Sequence, residues 1–447
     1  MDAPIEVAKP QSYLAFSAAL QNKLAANRTP SNVTVEVTRR CPLECVHCYN
    51  NLPMGDAAAR SGELTYDEHC RLLDELCDAG CLWLLYTGGE IFARHDFLDI
   101  YTYAKKKGFL ITLFTNGTLI TPRIADYLVE WRPFAIEITL YGASKETYEN
   151  LTGIPGSYAR CLRGIRLLRE RGLPLSLKSV AISINKHEIG TMKALAEDLG
   201  LRFKFDAMMT PRIDCSQSPL AVRLRPWEIV KMDLEDPVRV AEWKQLAERA
   251  AHLAENHERG DQVYHCGGGV NGLAVDPAGK MSICVLSHQD TYDWRRGNLY
   301  QGWNHFLHDV RKRKITRVTK CTGCGIKDLC GMCPANGELE NGDPEAPVDF
   351  LCHVAHLRAK TMGIAVPAHG DCEYCEGGTA YSDLLDSAAT LQQRRDELWM
   401  GPAAHAKVFP IMAAERSAGG GCGSCGSEHG SCTSHGSQAR ARQENAR

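Results

Sequence analysis

The sequence predicts a partial β/α barrel of six strand–helix units, followed by a small cysteine-rich domain and an unstructured tail. Three observations carry this. From about Val33 to about Thr210, short apolar runs alternate with helical patterns, and that alternation means a parallel sheet with right-handed crossovers. Beyond that stretch and a helix-rich connection, the chain turns to short segments, turns and cysteines up to about Cys352. From Ser417 onward it is Gly, Ser, Cys and His with a basic end, a composition that buries no core.

In order, the strands are VTVEVT from Val33, LWLLY from Leu82, LITLFT from Leu110, AIEITLY from Ala135, LSLKSVAI from Leu175 and LRFKFDAM from Leu201. Several are apolar on both faces, as buried parallel strands are. Helices fall between them at Thr65–Cys77, Asp96–Lys107, Thr121–Trp131, Tyr158–Arg171 and His187–Leu199. Thr65 with Glu68 forms a capping-box signature, and Pro122 suits a first helical position. Six units fit an open (β/α)6 barrel better than an eight-fold one. The expected organisation is an N-terminal extension (1–30), the barrel (31–211), a helical connection (212–258), the cysteine-rich domain (259–365), a C-terminal extension (366–416) and the tail (417–447). Ala355–Met362 and Ser382–Met400 read as further helices.

Composition narrows the function. The 447 residues hold 51 basic and 54 acidic side chains, a net charge of −3. That balance argues against a nucleic-acid binder working by bulk charge. No apolar run approaches the roughly 20 residues of a membrane span, and no export signal is seen at the N-terminus, so a cytoplasmic location is expected. The outlier is the count of 20 cysteines. Without an export signal, that points to metal or redox chemistry rather than disulfides.

Cys41, Cys45 and Cys48 form a C-x3-C-x2-C triplet directly after the first strand. Reactive groups of β/α barrels sit on such loops. Three thiolates on one loop can hold three corners of a cubane iron–sulfur cluster, leaving one iron open to a chelating molecule. Zinc, with His47 as fourth ligand, is the competing reading of the triplet alone. Further along come Thr87-Gly88-Gly89-Glu90 after the second strand, Thr115-Asn116-Gly117 after the third and ITLYG, with Thr139, at the fourth.

In this order at these strand ends, the motifs resemble the radical SAM superfamily over roughly Val33 to Pro211. The resemblance implies a [4Fe–4S] cluster on Cys41, Cys45 and Cys48 whose open iron binds S-adenosylmethionine. Gly88, Gly89 and Glu90 would meet the amino group of the methionine moiety, Thr139 the ribose and Lys178 a carboxylate. One departure is His47, where the superfamily often has an aromatic residue; imidazole can fill the same packing role.

Cys266 and Cys284, then Cys321, Cys324, Cys330 and Cys333, then Cys352, form a seven-cysteine set. A zinc ribbon would account for four of them. The whole set resembles the SPASM domain, which implies two auxiliary iron–sulfur clusters of [4Fe–4S] type. By that resemblance Cys321, Cys324, Cys330 and Cys352 hold the outer one, and Cys266, Cys284 and Cys333 the inner one. The inner set lacks a fourth thiol; an open iron, Asp261 or a distant cysteine would complete it. The spacing from Cys330 to Cys333 is one residue shorter than in many relatives. The domain pair implies oxidative modification of a peptide or protein by a 5′-deoxyadenosyl radical, with an electron donor such as flavodoxin or ferredoxin. Only about thirty residues precede the first strand, so a separate leader-recognition protein, or direct capture of the substrate by the barrel, is expected. The alternatives are a radical SAM enzyme acting on a small-molecule cofactor or antibiotic precursor, and a non-enzymatic electron carrier. No catalytic acid or base stands out. Cys372 and Cys375 make half a metal site and read as flexible loop cysteines, and Arg311–Lys314 reads as a solvated basic face.

Overall fold

The computed structural model describes residues 12–256 and 261–400. Six strands run parallel in sequence order: β1 (Asn32–Thr38), β2 (Trp83–Gly88), β3 (Leu110–Thr115), β4 (Ala135–Thr139), β5 (Leu175–Val180) and β6 (Arg202–Asp206). Their inward side chains, among them Val33, Val35, Leu84, Tyr86, Ile111, Leu113, Ile136, Ile138 and Leu177, form one core with the crossover helices. Those helices lie where the apolar periodicity puts them, at Tyr66–Asp78, Phe97–Lys106, Pro122–Glu130, Ser157–Glu170 and Ile189–Asp198. The capping box of Thr65 and Glu68 is formed.

The sheet is larger than the six expected strands. β7 (Gly272–Val275) pairs parallel to β1, and β8 (Lys280–Ser282) and β9 (Tyr292–Asp293) continue it antiparallel, giving nine strands in all. These three strands are short and lie among turns, so periodicity does not flag them. A helix at Tyr13–Ala26 precedes β1. The helix expected over Ala355–Met362 begins earlier, at Asp349, and so carries Cys352. After the barrel, helices Pro226–Leu234 and Pro237–Asn256 lead toward the cysteine-rich segment. Arg358, on the Asp349–Met362 helix, is wholly buried, bonds Asp233 at 2.8–2.9 Å and lies 3.7 Å from the Trp243 ring centroid. The expected disordered tail lies outside the described residues. No helix among the described residues is long and apolar enough to cross a membrane.

Candidate functional site

Cys41, Cys45 and Cys48 sit on the loop after β1, the first two buried and the third half-buried. The loop is held on every side. Arg40–Cys41 pairs with Leu52–Pro53 as a two-residue parallel ladder. Glu44 and Val46 donate backbone hydrogen bonds to Thr152 and Leu151. Arg212, just after β6, donates to the Cys48 carbonyl at 3.0 Å and to Asn51 at 2.8–2.9 Å. Beneath the loop, Glu63 takes two hydrogen bonds from Arg40, at 2.8 and 2.9 Å, and one from the Thr38 hydroxyl.

The Gly-Gly-Glu segment is stitched to the same loop. Gly89 N–H donates to the Thr38 carbonyl at 2.7 Å and Glu90 N–H to the Arg40 carbonyl at 3.0 Å. Gly88 has φ +130, and a Cβ there would stand 2.1 Å from the Thr38 oxygen; one at Gly89 would stand 2.4 and 2.5 Å from the Arg39 and Arg40 oxygens. Only glycine allows this approach. The Glu90 carboxylate is buried and turned toward the end of β3, accepting from Thr115 Oγ1 at 2.7 Å and the Asn116 amide N–H at 2.8 Å. Burial pushes its carboxyl up to about 7 against those hydrogen bonds.

Asn116 closes the circuit. Its side-chain oxygen accepts from Thr118 N–H and Oγ1, which turns its amide nitrogen to donate to Cys41 Sγ at 3.5 Å. Burial, chiefly, pushes the Cys41 thiol up to about 12 and raises those of Cys45 and Cys48. Thiols raised in this way favour the protonated form until a metal displaces the proton. Three converging thiols on a locked loop, with a glycine cradle against it, fit a site-differentiated iron–sulfur cluster. His47 packs edge-on against Tyr141 with centroids 5.1 Å apart, and burial lowers its pKa to about 4. This is the packing role expected of it.

Thr139 and Lys178 are register partners on β4 and β5. Lys178 also lies 3.4 Å from Glu137 and over the Phe114 ring, and burial pulls its pKa down to about 7. In the second cysteine set, Cys321, Cys324, Cys330 and Cys352 line a single cavity. Cys266, Cys284 and Cys333 lie near enough that the charge of each of the other two raises the Cys284 thiol, after the larger effect of burial. Asp261 is on the surface, paired with Lys314 at 2.6 Å. The basic run is not a plain solvated face: Arg313 forms a two-pronged pair with Asp290 at 2.8 Å.

Cys372 and Cys375 depart from expectation. Both are buried, beside His356 and His369. Sequence spacing hides this, because His356 comes from the preceding helix and only folding brings it in. Arg212, Glu63 and the Asn116–Cys41 contact were likewise not legible as site residues, since each acts through long-range contacts.

Comparison with known proteins agrees with this geometry. Residues 35–198 match the family described as the radical SAM superfamily. The chain is 34% identical to an AdoMet-dependent heme synthase of Methanosarcina barkeri over 341 residues, 72% of this chain and 95% of that protein. It is 29% identical to a PqqA peptide cyclase of Granulibacter bethesdensis, covering 76% of this chain and 92% of that one. Among solved structures, Streptococcus suis SuiB bound to its precursor peptide SuiA superposes with TM-score 0.55 at 16% identity, covering 79% of this chain and 83% of SuiB. The enzyme anSMEcpe with bound AdoMet and a peptide gives 0.53 at 16%, covering 80% and 99%. This chain belongs to the radical SAM superfamily.

Proposed function

We propose that this radical SAM enzyme oxidatively modifies a peptide or protein. The observation that carries the reading is the locked Cys41–Cys48 loop with the Gly88-Gly89 cradle pressed against it, with seven more cysteines in two groups further along the chain. Cys41, Cys45 and Cys48 would hold the [4Fe–4S] cluster that, when bound, supplies the electron for reductive cleavage of S-adenosylmethionine to a 5′-deoxyadenosyl radical. Gly88 and Gly89 keep the cofactor side of the loop open to close backbone approach. Glu90 fixes the ends of β2 and β3 relative to each other. Thr139 and Lys178, side by side, would contact the ribose and carboxylate. Cys321, Cys324, Cys330 and Cys352 would hold one auxiliary cluster and Cys266, Cys284 and Cys333 another, serving a net oxidation by accepting an electron. A peptide substrate is supported by the similarity to a PqqA peptide cyclase and to a subtilosin biosynthesis protein. A flavodoxin- or ferredoxin-type donor and a separate leader-recognition protein complete this reading, in a cytoplasmic setting.

A second reading has its own support. The relative at 34% identity is a heme synthase, and a shorter match is to an Fe-coproporphyrin III synthase. A tetrapyrrole substrate is the small-molecule alternative.

The test begins with iron and sulfide content after anaerobic reconstitution, on wild type and on the Cys41/Cys45/Cys48→Ala variant. Three cubanes give about twelve irons in wild type and about eight in the variant, with cofactor cleavage lost in the variant. About four irons in wild type would remove the auxiliary clusters. Fe-coproporphyrin III is then added to the wild-type enzyme. A shifted Soret band with turnover would move the assignment to the tetrapyrrole. Inertness, with mass loss on a co-expressed precursor peptide, would support the peptide.

A further inference from the structure

Outside both cysteine sets lies a third group of metal-binding side chains. His356 projects from the helix Asp349–Met362, and His369, Cys372 and Cys375 come from the loop that follows it. The four are only 1%, 7%, 4% and 6% exposed, and one ligand atom from each lies within 4.8 Å of all the others. Cys372 Sγ and Cys375 Sγ stand 3.5 and 3.7 Å from His356 Nε2.

Those spacings have a simple origin. A tetrahedral zinc with Zn–S near 2.3 Å and Zn–N near 2.0 Å puts sulfur and nitrogen about 3.5 Å apart. Hydrogen bonding alone explains the group poorly. His356 Nδ1 already donates to the Cys352 carbonyl at 2.8 Å, which leaves one lone pair on Nε2 facing two sulfurs. That carbonyl contact is also the usual way a ligating imidazole is oriented. His369 has Nδ1 2.9 Å from the Pro367 carbonyl, and its Nε2 is buried with no hydrogen-bond partner. With the Nδ1 proton given to that carbonyl, Nε2 is the nitrogen left to ligate, and leaving it buried without a partner costs free energy; Cys375 Sγ lies against the same ring, 3.5 Å from Nδ1. The loop is built for rigidity: Cys375 N–H donates to the Cys372 carbonyl, Gly378 N–H to the Cys375 carbonyl and Ala380 N–H to the Glu373 carbonyl.

We propose that His356, His369, Cys372 and Cys375 form a closed, structural Zn2+ site, separate from the iron–sulfur clusters, that pins residues 366–380 onto the helix Asp349–Met362. A cubane spreads its ligands over different irons, wider than this group allows. A two-iron cluster with mixed ligands segregates histidines from cysteines on separate irons, whereas here both histidines touch sulfur. Two thiolates and two imidazoles in tetrahedral array select zinc. With all four positions filled by protein, no place remains for water or substrate, so the site is structural rather than catalytic. Cys352 Sγ, 4.0 Å from Cys372 Sγ, also lines the cavity with Cys321, Cys324 and Cys330. His356 and His369 line the same cavity, so the zinc would form part of its wall, while none of its four ligands is a cysteine of the seven-cysteine set.

The experiment is elemental analysis of the full-length protein after anaerobic reconstitution and chelator wash, on wild type, Cys375→Ser and His369→Ala. The expected result is about one zinc per chain in wild type, falling at least tenfold in both variants while iron content holds. As a readout independent of the variants' folding, wild type from cobalt-supplemented growth should show the ligand-field bands of tetrahedral Co2+ and a sulfur-to-cobalt charge-transfer band. Wild type without zinc or cobalt, zinc that persists in both variants, or loss of iron in place of zinc would each overturn the proposal. Iron content and cofactor cleavage test the function separately, so either reading can fail alone.

Discussion

Replacing Glu63 with Leu should destabilise the protein by about 3–5 kcal/mol, the range for breaking a buried ion pair by removing one partner. The structure supplies the reasons. Arg40 and Glu63 side chains are 4% and 6% exposed, and two parallel N–H···O bonds of 2.8 and 2.9 Å join them. At an effective dielectric of 20, opposite charges about 4 Å apart attract by about 4 kcal/mol. Removing the carboxylate leaves the Arg40 guanidinium buried and unpaired and takes an acceptor from Thr38. Arg94, 3.9 Å from Glu63, keeps its own partner Asp96 at 2.7 Å, so the loss concentrates on Arg40. Urea denaturation of the metal-free protein is the assay, because bound metal would add its own stabilisation. The variants are Glu63→Leu, Arg40→Met and the double substitution. The double variant should recover about 2–4 kcal/mol relative to the sum of the singles, since no charge is left stranded. Arg40 precedes Cys41, and its carbonyl receives the Glu90 N–H, so the single variants should also reconstitute fewer irons. A Glu63→Leu cost below about 1 kcal/mol, or additive single variants, would refute the claim that this pair fixes the loop.

Two further outcomes follow from the same geometry. Gly89→Ala should abolish tight iron retention at the Cys41 loop, because its Cβ would meet two carbonyl oxygens at 2.4 and 2.5 Å; normal iron content and cofactor affinity in this variant would show that the stitched backbone is dispensable. His69 is buried, and burial first, then the Arg94 charge, lowers its pKa to about 3 from an ordinary value of 6.5. The unfolded chain therefore binds the extra proton between those values, so stability from this group is full above about pH 6.5 and falls as pH drops. From pH 6.5 to 5 the loss approaches about 2 kcal/mol, and a His69→Leu variant should show a flatter acid limb by urea denaturation.

The barrel was legible because its strands and helices are long and strictly periodic, and each of the six expected strands and five crossover helices is present. The cysteine triplet was legible because its ligands lie within one loop. The zinc-type group was not, because His356 sits thirteen residues before His369, on a helix whose pattern gives no hint of ligation. Without that histidine, Cys372 and Cys375 are only a pair of thiols. The same holds for Arg212 and for the hydrogen bond from Asn116 to Cys41: the Thr115-Asn116-Gly117 motif stood out in the sequence, but its contact with the loop forms only once the sheet has formed.

The pairing of β7 with β1 changes what a domain boundary means in this chain. The division expected from the strand–helix alternation falls near residue 211, yet Asn32–Val35 pairs with Gly272–Val275, and Asn32 N–H donates to the Asn271 carbonyl at 2.9 Å. Side chains reinforce the seam: Arg39 bonds Asp276 at 3.2 Å, and Arg295 grips Glu68 at 2.9 and 3.0 Å. β1 is thus an interior strand, with Val33, Val35 and Val37 buried. Ending the chain at residue 211 would turn β1 into a bare edge with unpaired N–H and C=O groups, a template for association between chains. A 1–211 fragment should therefore aggregate or bind an apolar dye, whereas 1–400 should stay monodisperse by light scattering. β1 leads directly into the Cys41 loop and β8 runs directly toward Cys284, so this shared sheet also fixes the spacing between the cysteine sets. A well-behaved 1–211 fragment that reconstitutes four irons would show that the seam is an accessory contact and not part of the barrel.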